Sequence, residues 1–546
     1  MNLFIKIVLA LMALFTPFAF AGAEPWGFSV MQTGIIASGV LWLLFSKEQV
    51  CLTRLARPVL FLFGFLIILG LVQSFFPQTL LDTVPLYPVT LMRLYTLETI
   101  SFMVTYLTLA GLISQQFPSQ NAIKPVIGWM IFCAVAVAIC AVSFAKGEYI
   151  YYFTGLRRGI GPFLNRNHLG MFLALGSLSA LGMIFFNQTK PENHHLHREQ
   201  RYRFYVEQVC WSIVCIGLAL AVIFTHSRGG MMSLLGGIAC FAFLMCGFLP
   251  EKRTKKIAGL ICTSVLLAGA VYWISTHIAF INAFADRVQD TSAEIRLMLY
   301  ESAVRLLADF PLWGIGLGAM PVALPAYFEY GLPQYVEHVH SDWLELVLGV
   351  GYVGIIPVVL ALIGLVMLIF MRLHRLPKHK LAFFCASCSV LFAMSIGSMV
   401  DFHFFIPANA FVFFVFLGIL CAPTYDKHHL RVVKFSLFSR TLLLAVLLCS
   451  LYIPLQKTLA WRSVMFGRGL KQEAKLAQYR RALSYYPSPR YAVRFGNACF
   501  NASLRAKTPE EKASLRAEGF EIADTYLHRY PKEPELSKLY VRTRPR

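Results

Sequence analysis

Charged residues are scarce in this chain: Asp, Glu, Lys and Arg make up only 14% of its 546 residues, against 57% hydrophobic and a mean hydropathy of +0.62. Soluble domains carry about 25% charged residues. A soluble protein is therefore excluded, and a polytopic membrane protein remains. Acid is scarcer than base, with 28 Asp+Glu against 49 Lys+Arg and a formal charge of +21. Such an excess could serve nucleic acid, but the basic-aromatic groove pattern that this partner needs is missing. The cations fall instead in short clusters between apolar runs, so no nucleic acid is expected as a partner and membrane lipids are. Cysteine is absent from 278–340 and occurs once, as Cys499, after residue 459, which rules out a disulfide framework outside the membrane. Cys385 and Cys388 form a CxxC inside an apolar run, where thiols act as small hydrophobes. No metal and no cofactor are expected. The turn Trp313-Gly314-Ile315-Gly316-Leu317-Gly318 has no strand before it and no lysine completing it. That excludes a nucleotide-cradling loop and leaves flexible backbone near a lipid phosphate as the expectation.

What is plentiful is apolar sequence. About thirteen stretches of roughly 20 residues, each able to cross a ~30 Å hydrocarbon core as a helix, centre near residues 12, 37, 66, 106, 135, 177, 216, 239, 267, 356, 390, 415 and 449. The expected fold is an all-α polytopic membrane protein with about 13 transmembrane helices, or 12 if the first is cleaved or the tail is cytoplasmic. The first run ends Ala19-Phe20-Ala21-Gly22-Ala23-Glu24, like a signal-peptide cleavage site, but its single Lys6 is a thin positive region and favours a retained helix. Lys47/Arg54/Arg57, Lys190 to Arg203, Lys252/Arg253/Lys255/Lys256, Arg372 to Lys380 and Lys427 to Arg440 fall on one side of this threading, which should be the cytoplasm. Segments 76–96, 147–166, 224–229, 278–340 and 401–407 fall on the other.

The outer loop 278–340 is too long for a mere connection. Thr291 and Glu294 have capping-box spacing, which predicts a helix to about Ala308, stopped by Asp309-Phe310-Pro311. Arg296, Tyr300 and Leu307 would lie on adjoining turns of one face. Two domains are expected: residues 1–458 in the membrane, carrying the loop 278–340, and a basic helical domain at 459–546 on the outer side. Within the latter, Tyr479 to Pro487 and Ala523 to Pro531 resemble the second halves of two degenerate tetratricopeptide hairpins. Eighteen Lys+Arg against eight Asp+Glu give this tail +10. That charge would draw anionic head groups or phosphorylated glycans at low salt, although a plain solvated helical cap fits the same composition.

An ionisable group costs about 2.5–3.5 kcal/mol at the centre of a membrane helix and usually persists for function. Arg228, in Thr225-His226-Ser227-Arg228-Gly229-Gly230, occupies a tight turn between two spans; it could be a snorkelling anchor. Arg296 could pair with Asp290, Glu294 or Glu301 on a solvated surface. His340, in His338-Val339-His340-Ser341-Asp342-Trp343-Leu344-Glu345, could be a satisfied residue where Ser341 and Asp342 cap the next span. Asn165-Arg166-Asn167-His168 opens the sixth span, and capping accounts for Asn165 or Asn167 but not for all four. Two guanidinium groups and one imidazole on a common face suit chemistry on a lipid-linked phosphate.

In chain order, Gly161-Pro162-Phe163-Leu164-Asn165-Arg166-Asn167-His168, then Ser227-Arg228-Gly229-Gly230, then Arg296 with Asp309-Phe310-Pro311-Leu312-Trp313-Gly314-Ile315-Gly316, then His340-Ser341 leading into Gly351-Tyr352-Val353-Gly354, resemble the O-antigen ligase and polymerase superfamily. The likeness covers about residues 155–357. It implies a metal-independent, inverting glycosyltransferase in the bacterial inner (cytoplasmic) membrane, its active site facing the periplasm, so that the loop 278–340 is periplasmic. The donor it implies is a glycan on undecaprenyl diphosphate, and the acceptor a hydroxyl of lipid A-core, a glycan or a protein. Arg228 and Arg296 would then hold the diphosphate and His340 would be the general base, with Asn165, Arg166, Asn167, His168, His338, Ser341 and Glu345 in support. Many such proteins carry an acid about nine positions after the histidine; Gly349 stands there in this chain, and Glu345 is the nearby substitute. A polymerase of the same superfamily and a protein O-oligosaccharyltransferase are alternatives. A lipid-linked glycan transporter or flippase is an alternative of another class, but it would want polar or broken helices at mid-membrane, and these spans run largely uninterrupted.

Overall fold

The computed structural model describes residues 2–45, 50–78, 86–149, 159–188, 198–248, 291–328, 336–426, 429–530 and 534–544. Apolar runs become helices because hydrocarbon offers no partner for a backbone N–H or C=O, so each segment must satisfy its own. The first eight are α1 (Asn2–Phe18), α2 (Pro25–Phe45), α3 (Ala56–Phe75), α4 (Arg93–Gln116), α5 (Gln120–Ser143), α6 (Arg166–Gln188), α7 (Arg198–Phe224) and α8 (Arg228–Phe248). After the loop helix α9 (Thr291–Asp309) come α10 (Asp342–Leu373), α11 (Lys378–Gly397), α12 (Pro407–Leu420), α13 (Leu437–Ser450) and α14 (Tyr452–Arg468). The tail adds α15 (Gln472–Tyr485), α16 (Pro489–Ser503), α17 (Pro509–Arg529) and α18 (Pro534–Thr543). Among the described residues, ten helical stretches are long and apolar enough to cross a membrane, with α13 and α14 forming one of them, and α1 and α12 are shorter apolar helices. The chain is an all-α polytopic membrane protein. The span expected near residue 267 and the first part of the loop, 278–290, lie outside the described residues.

At the heart of the bundle, α6 packs against α5, α7, α8 and α11. Small residues permit this: a Cβ added at Gly176 or Gly182 would stand 2.5 Å from the methyl of Ala134 or Ala386. The two ends of the bundle differ. At one, Val50–Leu52 pairs antiparallel with Arg431–Val433, and Asp426 accepts from the Arg54 N–H at 3.0 Å and lies 3.7 Å from the Arg372 guanidinium. At the other, α9, the segment after it and the tail form a cap over the starts of α4 and α10. Leu299, Leu306, Phe310, Leu348, Val493 and Tyr530 belong to one buried core, and the Tyr530 hydroxyl reaches the Met92 sulfur at 2.7 Å. Helix α14 runs straight through position 458 and carries the chain from the bundle into this cap.

Helix α9 matches the predicted limits because its signals are local: an N-terminal Thr and a proline two residues past its end. Helix α10 differs from expectation. It is interrupted at Gly351, whose φ of +67° no β-branched residue would tolerate. The freed backbone groups are taken up by the loop after α9: Tyr352 N–H bonds Pro311 O at 2.7 Å, Val353 N–H bonds Leu312 O at 3.0 Å, and Leu348 O accepts from Ile315 N–H at 2.8 Å. The Gln73 amide fastens the same junction, donating to Gly349 O and Trp313 O and accepting from Leu317 N–H. The glycines of the 313–318 turn therefore serve close backbone packing. A Cβ at Gly314 would meet Leu348 O at 2.2 Å.

Candidate active site

The turn between α11 and α12 places Asp401, only 2% exposed, at the end of the bundle beneath the cap. Its Oδ1 accepts from His340 Nδ1 at 3.0 Å and from the Phe402 N–H at 3.0 Å. Its Oδ2 accepts from the Asn167 side-chain amide at 2.8 Å and lies 3.5 Å from the Arg296 guanidinium. Burial alone would raise this carboxyl; the His340 hydrogen bond, with His168 and His403 nearby, outweighs it and holds Asp401 well below the usual carboxylate range. Asp401 is thus an anion that links three elements: the start of α6, the exposed-loop helix α9 and the start of α10.

His340 is held from several directions. Its φ of +60° is unusual for a residue with a side chain. The strain, on the order of 1 kcal/mol or more, is stabilised by the Tyr300 hydroxyl, which donates to His340 O at 2.9 Å, and by Ser341, which caps α10 by accepting from Leu344 N–H. The Asp342 N–H bonds Ser398 O at 2.9 Å and its carboxylate accepts from Phe404 N–H, tying α10 to the Asp401 turn. Because the carboxylate Oδ1 can only accept, His340 Nδ1 carries the proton, and Nε2 is left as the nitrogen with a lone pair.

His338 sits beside this arrangement. Its Nδ1 is 3.2 Å from both oxygens of Glu345, which also accepts from Val339 N–H at 2.7 Å, and its ring stacks on Phe402 at 4.1 Å. Burial would lower His338, but the Glu345 carboxylate more than compensates and the imidazole is raised. His403 behaves oppositely: burial, only partly opposed by Asp401, holds it at about 4, so it is neutral near pH 7. It pairs with the buried His168, Nδ1 to Nδ1 at 3.3 Å.

The sequence-predicted residues are therefore distributed as follows. His340, Arg296 and Asn167 converge on Asp401; Asn165 accepts from Asn167 N–H at 2.9 Å and fixes the start of α6. His168 lies behind them, while Arg166 is exposed on the first turn. Arg228 is exposed at the first residue of α8, in a turn packed on the same end: a Cβ at Gly230 would touch Gly170 at 2.9 Å, and one at Gly229 would stand 3.8 Å from Val400. Glu345 partners His338, and the acid that meets His340 is Asp401. Position 349 is crowded, since a Cβ there would lie 3.2 Å from the Leu317 backbone. Asp401 and His403 were not foreseen as site residues. Their signal was two ionisable groups, Asp401 and His403, among the first three residues of the 401–407 segment, between long apolar runs.

Two cavities adjoin the site. One, of about 880 Å³, lies between the cap and the membrane helices and is lined by His168, His338 and Phe402. The other, of about 250 Å³, is almost wholly apolar, runs between α3, α4, α10 and α12, and shares Thr99, Phe102, Tyr106 and Phe404 with the first. Among the described residues no three His, Cys, Asp or Glu side chains are grouped to hold a metal ion.

Residues 213–359 match the protein family described as O-antigen ligase. The match runs from α7 to the middle of α10 and includes Arg228, Arg296 and His340, so that this stretch is similar to the O-antigen ligase family. No curated protein matches the chain.

Proposed function

We propose that this protein transfers a glycan from undecaprenyl diphosphate to an acceptor hydroxyl at the periplasmic face of the bacterial inner membrane. The single observation that carries the reading is the 3.0 Å bond from His340 Nδ1 to buried Asp401. An ionised carboxylate there fixes the imidazole tautomer and stabilises the imidazolium that forms when Nε2 takes a proton. The proton comes from the acceptor hydroxyl. As it leaves, the acceptor oxygen attacks the anomeric carbon from the side opposite the diphosphate, the bond from that carbon to the diphosphate oxygen breaks, and its electron pair departs with the diphosphate. The sugar is inverted. Arg228 and Arg296 face the growing negative charge, and a guanidinium can donate two parallel bonds to phosphate oxygens. At 3.5 Å the Arg296–Asp401 pair is longer than the ~2.8 Å of a tight charge-assisted bond. Arg296 is thereby left able to turn to an arriving diphosphate. Sidedness is supported by charge: the site lies at the end of α10 opposite Arg372 and the basic residues around Asp426, which the positive-inside rule assigns to the cytoplasm.

The test is transfer by the full chain in proteoliposomes loaded with an undecaprenyl-diphosphate glycan, with lipid A-core, free glycan and protein offered in turn. Product on one of the three is expected, with diphosphate released in equal amount. No product on any of them, with donor intact, would overturn the reading.

A further inference from the structure

The 880 Å³ cavity is lined by none of Arg228, Arg296 and His340, and its roof comes from the tail, outside the matched family segment. Lys457, Arg468, Arg490 and Arg494 all line it. The three carboxylates in its lining are already engaged: Glu98 by Lys457 and the Tyr486 hydroxyl, Glu24 by the Trp461 indole N–H at 3.1 Å, and Glu337 by Arg490 at 2.6 Å. Arg468 and Arg494 form no ion pair among the described residues, and burial together with the neighbouring charges of Arg490 and Arg468 pushes Arg494 below the ordinary guanidinium value. Like charges gathered in a half-enclosed, low-dielectric space repel one another until an anion arrives. Flat aromatic faces accompany them: Trp26 and Trp461, with ring centroids 6.5 Å apart, and Tyr491. Such faces stack on the C–H surfaces of sugar rings, and the Trp461 indole N–H stays bonded to Glu24.

We propose that this cavity is the acceptor site and that its ligand is an anionic saccharide, bearing phosphate or carboxylate, held by Arg468 and Arg494 against Trp26, Trp461 and Tyr491. The word acceptor rests on the glycosyl-transfer reading above; the binding of an anionic sugar does not. The cavity borders the reacting groups through Phe402, whose ring lies in its lining and meets the His340 ring edge-on at 5.0 Å. Glu337 and His338, also in the lining, lead directly into His340 along the chain. An acceptor would approach from the tail side and the diphosphate from the Arg228–Arg296 side, so the two anions need not share a pocket.

The experiment is fluorescence anisotropy with the full chain in nanodiscs, using labelled 6-phosphomaltotriose, trigalacturonate and neutral maltotriose as probes. At least one charged probe should bind at least tenfold more tightly than the neutral one at low salt, with the difference shrinking as salt rises. Arg468→Gln/Arg494→Gln should remove that preference while leaving the weak neutral binding unchanged. His340→Ala should bind all three probes as the parent does. Equal affinity of the parent for charged and neutral probes would overturn the proposal without need of any variant, as would a charge preference that survives in the double variant. The two readings fail differently. Charge-selective binding in a protein that transfers nothing would remove the catalytic reading and keep an anionic-sugar site; transfer without such binding would do the reverse.

Discussion

Asp401 and Asp426 are buried to the same degree at opposite ends of the bundle, 2% and 3% exposed, and each has a backbone N–H and an arginine nearby. Their partners differ. Asp426 faces Arg372, itself largely buried, and the backbone of Arg54, beside the strand pair that ties residues 50–52 to 431–433. Asp401 faces His340 and Arg296, whose side chains are 30% and 28% exposed. One carboxylate locks helix ends and loops together; the other holds groups that keep an open edge. Burial of a charge therefore does not by itself mark a site, whereas the accessibility of what it holds does.

The sharpest way to break the comparison is to remove the group that Asp401 orients. His340→Ala is expected to lower transfer by about 10³-fold, within the range of a lost general base, with the melting temperature little changed; a loss under tenfold would show that the base is elsewhere. Exchanging the two acids for amides comes next. Asp401→Asn should lower kcat by roughly 10²-fold, because an amide can bond the wrong tautomer, while Asp426→Asn should leave kcat per folded molecule within a few-fold and reduce stability by about 1–3 kcal/mol. Reversed phenotypes in paired activity and unfolding assays would sink the distinction. Arg228→Lys keeps the charge and loses the fork, and should weaken kcat/KM by about tenfold; parental kinetics would remove the bidentate clamp.

The smallest effect concerns pH and His338. Its folded value is raised by Glu345 above the unfolded ~6.5. A raised histidine contributes stability that is fully present below the unfolded value and lost as pH climbs through the folded one. The parent should therefore lose a degree or two of melting temperature on going from pH 6 to pH 9, and Glu345→Gln should flatten that slope. An unchanged slope in the variant would mean that another group titrates.

Local signals were legible in the sequence and distant pairings were not. Thr291, Pro311 and the spacing of Arg296 and Tyr300 fixed helix α9 and the face it turns to the site, since a helix start, a helix stop and a periodicity each need only a few neighbouring residues. That Arg228, Arg296 and His340 lie toward one end of the bundle followed from the alternation of apolar runs with basic clusters. Asp401 escaped because it lies 61 positions from His340, and nothing within its own segment says which loop will fold over it. Glu345, five residues past His340, bonds His338 instead, and His340, in a left-handed conformation between them, meets Asp401. The break at Gly351 was hidden for a similar reason: the residues that satisfy it, Pro311 and Leu312, belong to another element.

Helix α14 begins at Tyr452 among membrane helices and ends at Arg468 in the roof of the tail cavity, with no hinge glycine before Gly467. An α-helix advances 100° per residue, so the angular bearing of the whole tail is dictated from within the lipid bilayer. Evolution can exchange side chains on the faces of this shaft that neither line the cavity nor bond α2 and α4. It cannot lengthen or shorten it by a single residue without swinging Arg468 and everything beyond it out of register with the floor that Glu98 and Trp26 provide.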